Sequence, residues 1–121
     1  MKFLLLVHHN ETRFAAMSDT VKRDLLAESV RLTHELHANT QYLDASPLKP
    51  SATGARVRVR DGKASITDGP FTETHEHIAG YFMVEASSLQ QAIEIATRIP
   101  GARLGYVEVR QVLEIDGLPV N

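Results

Sequence analysis

The sequence predicts an α+β fold of the ferredoxin-like kind, a split βαβ pattern with a β-hairpin inserted between its two halves. Two observations predict the halves, because an amphipathic helical stretch follows the first apolar run and another follows the apolar run near residue 80. A third predicts the hairpin, because the dipeptide Asp61-Gly62 links two short alternating runs. A chain of 121 residues is long enough for one core, so we expect a single domain over residues 1–121.

The first half begins with an apolar strand and a capped helix. Lys2 to His9 is apolar without a helical period, which predicts a buried strand, and residues 10–17 are expected to form a loop. Ser18 is placed to cap a helix that ends near Asn39. The apolar positions of this helix fall on one stripe, formed by Val21, Leu25, Leu32 and Leu36.

The middle of the chain is predicted as a short strand, a loop and a hairpin. Gln41 to Ala45 is predicted as a strand, and residues 46–54, with Pro47 and Pro50, as a loop. Arg56 to Arg60 and Lys63 to Thr67 flank the Asp-Gly dipeptide. Such a link is typical of a type I′ turn, which needs a positive φ at both central residues.

The second half repeats the strand, helix and strand order. Ile78 to Ala86 is predicted as a central strand, and Ser87 with Gln90 as a capping box for the second helix. Pro100-Gly101 is expected to end that helix. Tyr106 to Ile115 alternates apolar and charged residues and is predicted as the last strand.

The predicted sheet has a face that its own helices do not cover. Two helices cover one face, whereas apolar residues on at least the first and fourth strands also occupy the other. A second copy of the chain is the economical cover for such a surface. We therefore expect a homodimer in which two sheets face each other.

Composition and charge exclude several classes of protein. Thirteen basic against 15 acidic residues give a net charge of −2, and Arg56, Arg58 and Arg60 alternate along a strand, so no nucleic-acid footprint is indicated. The chain has no cysteine, which excludes disulfides and thiolate chemistry. The apolar run at the start is too short to span a membrane and lacks a cleavage site, so we expect a cytoplasmic protein.

The segment Asp68 to Glu76 is the strongest functional pattern, because Asp-Gly-Pro forces a tight turn at a strand end and leaves a carboxylate and the Phe71 ring beside the sheet. Asp68 is therefore a candidate general base or hydrogen-bond acceptor, its pKa set by neighbours such as Arg58 or Arg110. The alternative is that Asp68 bonds to downstream amides of its own turn. Both interpretations stay open on the sequence alone.

Charged and imidazole side chains at strand ends supply further candidates. Glu108 and Arg110 share one face of the last strand and would either line a polar cavity or pair across a dimer interface. His8 and His9 end the first strand on opposite faces, so one of them points to the interior and is a candidate proton shuttle or simply a packed side chain.

A metal site is only weakly indicated. Histidines 75 and 77 alternate with glutamates 73 and 76, but no further ligand has a defined spacing. The isolated glycines do not form a phosphate-binding loop. We therefore expect no metal and no cofactor.

The chain resembles the YCII-related proteins, specifically their DGPF-domain branch, over nearly its whole length. The matching segments are Met1 to Leu6, Val57 to Gly62, Thr67 to Phe71 with Glu73 and Glu76, Gly80 to Phe82 with Glu85, and Val107 to Arg110. The resemblance implies a dimeric α+β barrel, shared with small monooxygenases, muconolactone isomerase-like proteins and a dehydrochlorinase. It also implies a regulatory role as an alternative, because DGPF proteins are often encoded beside extracytoplasmic-function sigma factors.

The chain departs from that family at three positions. Enzyme-like members carry a histidine on the first helix, and the matching position is Ser29. His75 stands where the signature usually has lysine, and Thr40 where a glycine is usual after the helix. The histidine mechanism implied by the family therefore does not transfer directly to this chain.

We expect a cytoplasmic homodimer that binds a small organic molecule between the sheet and the first long helix. Asp68 would be its key polar group, with His8 or His9, Arg58, Phe71, Glu108 and Arg110 nearby. Catalysis, if present, would be cofactor-free proton transfer. The alternative is a non-enzymatic accessory module that binds a sigma factor.

Overall fold

A computed structural model describes residues 1–71 and 76–120 of the chain. In chain order the elements are β1 (Lys2–His9), α1 (Glu11–Ala15), α2 (Asp19–Ala38), β2 (Tyr42–Pro47), a 3₁₀ turn (Ser51–Thr53), β3 (Ala55–Arg60), β4 (Lys63–Asp68), β5 (His77–Glu85), α3 (Leu89–Thr97), α4 (Gly101–Leu104) and β6 (Tyr106–Gln111). The α+β, ferredoxin-like prediction is confirmed, with the hairpin inserted between the halves.

Four strands form one antiparallel sheet in the order β2-β5-β1-β6. Strand β1 is central and pairs with β5 on one side and with β6 on the other. The apolar run at the start of the chain can occupy this position because alternate residues face opposite sides and both sides are shielded to some degree. A β-bulge between Val7 and His8 shifts the register with β5 just before the strand ends.

The core lies between one face of this sheet and the helices. Phe3 and Leu5 of β1 are fully buried there, and Leu36 of α2 packs in the same cluster. The predicted stripe of α2 therefore meets the core through its C-terminal half, whereas Val21 near its start is 45% exposed. The first part of α2 stands over a groove rather than over packed side chains.

Several predicted boundaries are wrong by a few residues. Residues 11–15, predicted as loop, form helix α1, whose N-cap Asn10 accepts a hydrogen bond from the Arg13 backbone N–H. The cap of α3 is Ser88 rather than Ser87. Strand β2 continues to Pro47, beyond the predicted end. The last strand ends at Gln111, short of the predicted Ile115.

The hairpin of β3 and β4 forms its own two-stranded sheet. Asp61 and Gly62 have φ values of 51° and 73°, as the predicted type I′ turn requires. Every residue of both strands is exposed. The hairpin therefore draws little stability from the core, and its register rests on the turn and on the ladder between its strands.

No helix in residues 1–71 and 76–120 lies over the second face of the four-stranded sheet. Leu4 and Leu6 of β1 lie on this open face, opposite Met83 and Tyr81 of β5. Glu108 and Arg110 of β6 share the same face through their pairing with β1. Its apolar side chains are only partly buried, in contrast with their neighbours in the core.

Candidate functional site

A groove of about 720 Å³ opens between the helix-covered face of the sheet and the first two helices. Its walls come from α1, the first three turns of α2 and beyond, β2 with the segment after it, the first half of β5, the end of β1 and the segment that contains α4. Most of its lining side chains are apolar, and the charged ones among the described residues are Glu11, Lys22 and Lys49. A volume of this size accommodates a small organic molecule.

His9 supplies the imidazole of the groove. It is the last residue of β1 and lines the groove, whereas its neighbour His8 faces the open side of the sheet. The His9 ring stacks on Phe14 of α1, with the ring centroids 4.7 Å apart. Helix α1, absent from the sequence prediction, thus covers one side of the imidazole and leaves the other toward the groove.

The pKa of His9 lies below its ordinary value of 6.5. The main cause is partial burial, which disfavours the charged form. Carboxylates of Glu11 and Glu76 raise this pKa, while His77 lowers it again, and burial outweighs the carboxylates. His9 is therefore mostly neutral at neutral pH and able to accept a proton.

Glu11 is held beside this histidine by contacts from a distant segment. The backbone N–H and the hydroxyl of Ser51 each donate a hydrogen bond of 2.8 Å to its two carboxylate oxygens. Burial alone would raise the pKa of Glu11, but these bonds together with His77 and His9 lower it below its ordinary 4.5. Glu11 is consequently a fixed negative charge at the edge of the groove.

His77 completes a cluster with His9, Glu11 and Ser51, which we call the groove-end cluster. It lies directly opposite His9 in the pairing of β1 with β5. Its Nε2 is 2.9 Å from the carbonyl oxygen of Phe71, so that nitrogen is the donor in the neutral ring. Its Nδ1 is buried without a hydrogen-bond partner among the described residues and lies 4.0 Å from a Glu11 oxygen.

The Asp-Gly-Pro-Phe segment holds this cluster together. The backbone N–H of Gly69 donates to the carbonyl of Gly54 at 3.0 Å. A Cβ at Gly69 would lie 1.8 Å from the Ser51 carbonyl oxygen, so no larger residue fits without moving the 3₁₀ turn. Phe71 packs under the Arg56 guanidinium at 3.9 Å and offers its carbonyl to His77. The segment therefore supports Ser51 and His77 from outside the groove.

The structure separates the residues that the sequence singled out. Among them His9 lines the groove, and Asp68, Phe71 and Arg58 do not. Asp68 is exposed at the end of β4, where it pairs with Ala55. Arg58 is exposed on the hairpin.

The remaining three predicted residues lie together on the open face. His8 stacks on Tyr106 with centroids 4.5 Å apart, and its Nε2 is 3.4 Å from a Glu108 oxygen. Glu108 also pairs with Arg110 on the same strand, at 3.2 Å. This group therefore faces away from the groove.

Metal ligation finds no support in the described part of the chain. Residues 1–71 and 76–120 contain no group of three or more histidine and carboxylate side chains arranged around one point. Glu73 and His75, which the sequence analysis considered as ligands, lie outside the described residues.

A family model of the YCII-related domain matches residues 1–116. The chain belongs to the YCII-related family. One similar protein is an uncharacterized protein of Rhizobium meliloti (strain 1021). It is 29% identical to this chain over 119 residues, which cover 91% of this chain and 90% of the relative. Assignment to the DGPF branch stays a prediction.

Membership of the YCII-related family makes Ser29 informative. This residue stands where the resemblance places a helix histidine, and it lines the groove. Its hydroxyl donates to the Leu25 carbonyl at 3.0 Å, within its own helix. The position at which the resemblance expects a histidine thus faces the groove in this chain, but it is occupied by Ser29. The imidazole in the groove belongs to His9, on the neighbouring strand β1.

Sequence reasoning missed Glu11 and Lys22 as groove residues. Asn10 followed by Glu11 is a helix-start signal, since Asn is a favoured N-cap and an acidic residue suits the first turn. That signal would have placed α1 and brought Glu11 next to His9.

Among the helices of the described residues, none combines the length and the apolar character that a membrane span requires.

Proposed function

We propose that this YCII-related protein acts in the cytoplasm as a homodimer, binding a small organic molecule in the groove and moving a proton with His9. The observation that carries the proposal is the position of His9, a partly buried imidazole stacked on Phe14 at the end of an otherwise largely apolar groove. Such a site is suited to isomerisation, elimination or cofactor-free oxidation, which share a proton-transfer step.

The roles of the groove-end cluster follow from charge. Neutral His9 removes a proton from a carbon next to a carbonyl of the bound molecule and becomes an imidazolium. The nearby negative charge of Glu11 stabilises this imidazolium, since it already raises the pKa of His9. Ser51 fixes the Glu11 carboxylate through its two hydrogen bonds. The proton then returns to another position of the same molecule.

Asp68 is the competing candidate for the base. The sequence analysis preferred it, but it is exposed and lies outside the lining of the groove. We therefore assign proton transfer to His9 and keep Asp68 as the variant that discriminates between the two assignments.

The proposal is tested by hydrogen–deuterium exchange in D₂O. A panel of small enolisable ketones and lactones is incubated with the protein, and loss of the proton next to the carbonyl is followed by NMR. The wild-type protein and the His8→Gln and Asp68→Asn variants are expected to accelerate exchange of at least one compound, and His9→Gln is not. Exchange that survives in His9→Gln but disappears in Asp68→Asn would move the base to Asp68. Absence of exchange throughout the panel would count against proton transfer.

The homodimer is supported by the open face of the sheet. Leu4, Leu6 and Met83 are only partly buried in one chain, and Tyr106 at the edge is 50% exposed. A second copy laid on this face would remove these apolar side chains from water and would enclose the ion pair of Glu108 with Arg110. The groove lies on the other side of the sheet and stays accessible in such a dimer.

A second candidate function, an accessory module for a sigma factor, is favoured by the hairpin. Val57, Val59 and Ile66 share one face of it and are 65–69% exposed, an apolar surface typical of protein contacts. Mixing the purified protein with an extracytoplasmic-function sigma factor of its source cell should then give a complex by size-exclusion chromatography. The Val57→Asp variant should abolish that complex, and no complex with the wild-type protein would reject this function.

A further inference from the structure

The charged side chains of the groove differ in whether they have partners within the protein. Both carboxylate oxygens of Glu11 accept hydrogen bonds from Ser51. Lys22 and Lys49, the two lysines of the lining, form no ion pair with a carboxylate among the described residues. The groove therefore offers to a ligand ammonium groups that are unpaired among the described residues, whereas both oxygens of its carboxylate already accept hydrogen bonds from Ser51.

Lys22 is the better placed of the two lysines. It is partly buried in the first turns of α2, whereas Lys49 lies in an exposed segment after β2. The Lys22 ammonium is 3.4 Å from the Ala15 carbonyl oxygen, a long hydrogen bond that leaves its other two donors unused by described residues. It also lies 5.9 Å from the centroid of the Phe14 ring.

Phe14 connects this cation to the proton carrier. One aromatic ring contacts both side chains, since the His9 ring stacks on Phe14 at 4.7 Å and the Lys22 ammonium approaches the same ring. The imidazole and the ammonium also both line the groove, so a molecule bound there lies beside a proton carrier and a cation.

We infer that the ligand of the groove is an organic monoanion, a carboxylate with an apolar body, and that Lys22 binds its carboxylate. The apolar walls accept the body, and the ammonium forms a hydrogen-bonded ion pair with the carboxylate, which a neutral molecule cannot form. The inference rests on the proposed function for the location of the site, but it concerns recognition rather than proton transfer.

Two probes of the same shape test the inference, 2-naphthoate as the anion and 2-naphthamide as its neutral counterpart. Their dissociation constants are measured by isothermal titration calorimetry. Wild-type protein is expected to prefer the anion by about tenfold, a difference that one charge-assisted contact supplies. Lys22→Gln should lose this preference while keeping its affinity for the amide, and Lys22→Arg should retain it. Lys49→Gln is the matched control and should keep it as well.

Each outcome bears on a separate claim. Equal affinity of the wild-type protein for both probes, or an undiminished preference in Lys22→Gln, would overturn the inference. Binding of neither probe would overturn the groove as a ligand site and the inference with it. An anion preference in a wild-type protein that catalyses no exchange across the ketone and lactone panel would support the anion site while rejecting the proton-transfer function.

Discussion

Two adjacent histidines show how the two faces of one sheet differ. His9 lies on the helix-covered face, stacks on Phe14 and lines the groove. His8 lies on the open face, stacks on Tyr106 and approaches Glu108. The same residue type, one position apart on one strand, therefore lies beside a cavity in one case and beside an aromatic ring and a carboxylate on the open face in the other.

What each face of the sheet can bind depends on which elements of the chain pack over it. On the helix side, α2 packs on the sheet through Leu32 and Leu36 but stands away from it near Lys22, which leaves the groove. On the open side no element of the described chain lies over β1. We propose that the first face carries the ligand and the second carries the partner subunit.

The largest expected effect is a loss of unfolding free energy that differs between two neighbouring leucines, one on each face of the sheet. Leu5 is fully buried in the core, and Leu5→Ala should lower the free energy of unfolding by about 2–5 kcal/mol. Leu6 lies on the open face and is only partly buried. Leu6→Ala should have a smaller effect on unfolding and should weaken the dimer instead. Urea unfolding and sedimentation equilibrium measure the two effects, and equal losses of unfolding free energy with unchanged association would contradict the assignment of the faces.

A smaller effect is expected from the turn that supports the groove-end cluster. Gly69→Ala brings a Cβ into the Ser51 carbonyl and should cost about 1–3 kcal/mol in unfolding free energy, as overpacking usually does. The control is Gly54→Ala, because its Cβ would lie 3.4 Å from the same oxygen and its backbone is extended. Comparable losses in the two variants, measured by urea unfolding, would show that the close approach of Gly69 is not what the segment requires.

The pH dependence of stability should distinguish the histidines. The pKa of His9 is lowered in the folded chain, so the unfolded chain takes up the proton first as the pH falls below 6.5. Stability is therefore lost as the pH falls from 6.5 through the folded pKa. Between about pH 7.5 and about pH 5.5, His9→Gln should lose less unfolding free energy than the wild-type protein. His8→Gln is the matched control, and an unchanged slope in His9→Gln would contradict the burial of that ring.

The smallest effect concerns the carboxylate beside His9. Since Glu11 raises the pKa of His9, Glu11→Gln should lower that pKa further. The measurement is an NMR titration of the imidazole C–H signals, with Glu108→Gln on the open face as the control that leaves the His9 titration in place. A rise of the His9 pKa in Glu11→Gln would overturn the electrostatic role of Glu11.

The fold could be predicted from the sequence because its signals are local. The apolar run of β1 and the Asp61-Gly62 turn match the structure, and Ser18 caps α2 as expected. The errors arise where signals are short or repeated. Helix α1 has five residues, too few for a periodic pattern, and the cap of α3 moves by one position because two serines stand together.

The site was less predictable because its contacts are distant in sequence. Ser51 meets Glu11 across 40 positions, and no pattern in the chain announces that pair. The sequence analysis favoured Asp68 because of the tight turn that follows it. In the structure, that turn holds Ser51 and His77 in place. His9 was identified as a candidate, but the choice between it and His8 required the pairing of the strands.

The most direct test of the ligand face is an NMR titration of the two histidines with 2-naphthoate. If the groove binds the ligand, the imidazole signals of His9 shift as the probe saturates the protein, and those of His8 stay where they are. Signals of His8 that shift while those of His9 remain fixed would contradict the account, because the ligand would then lie on the open face.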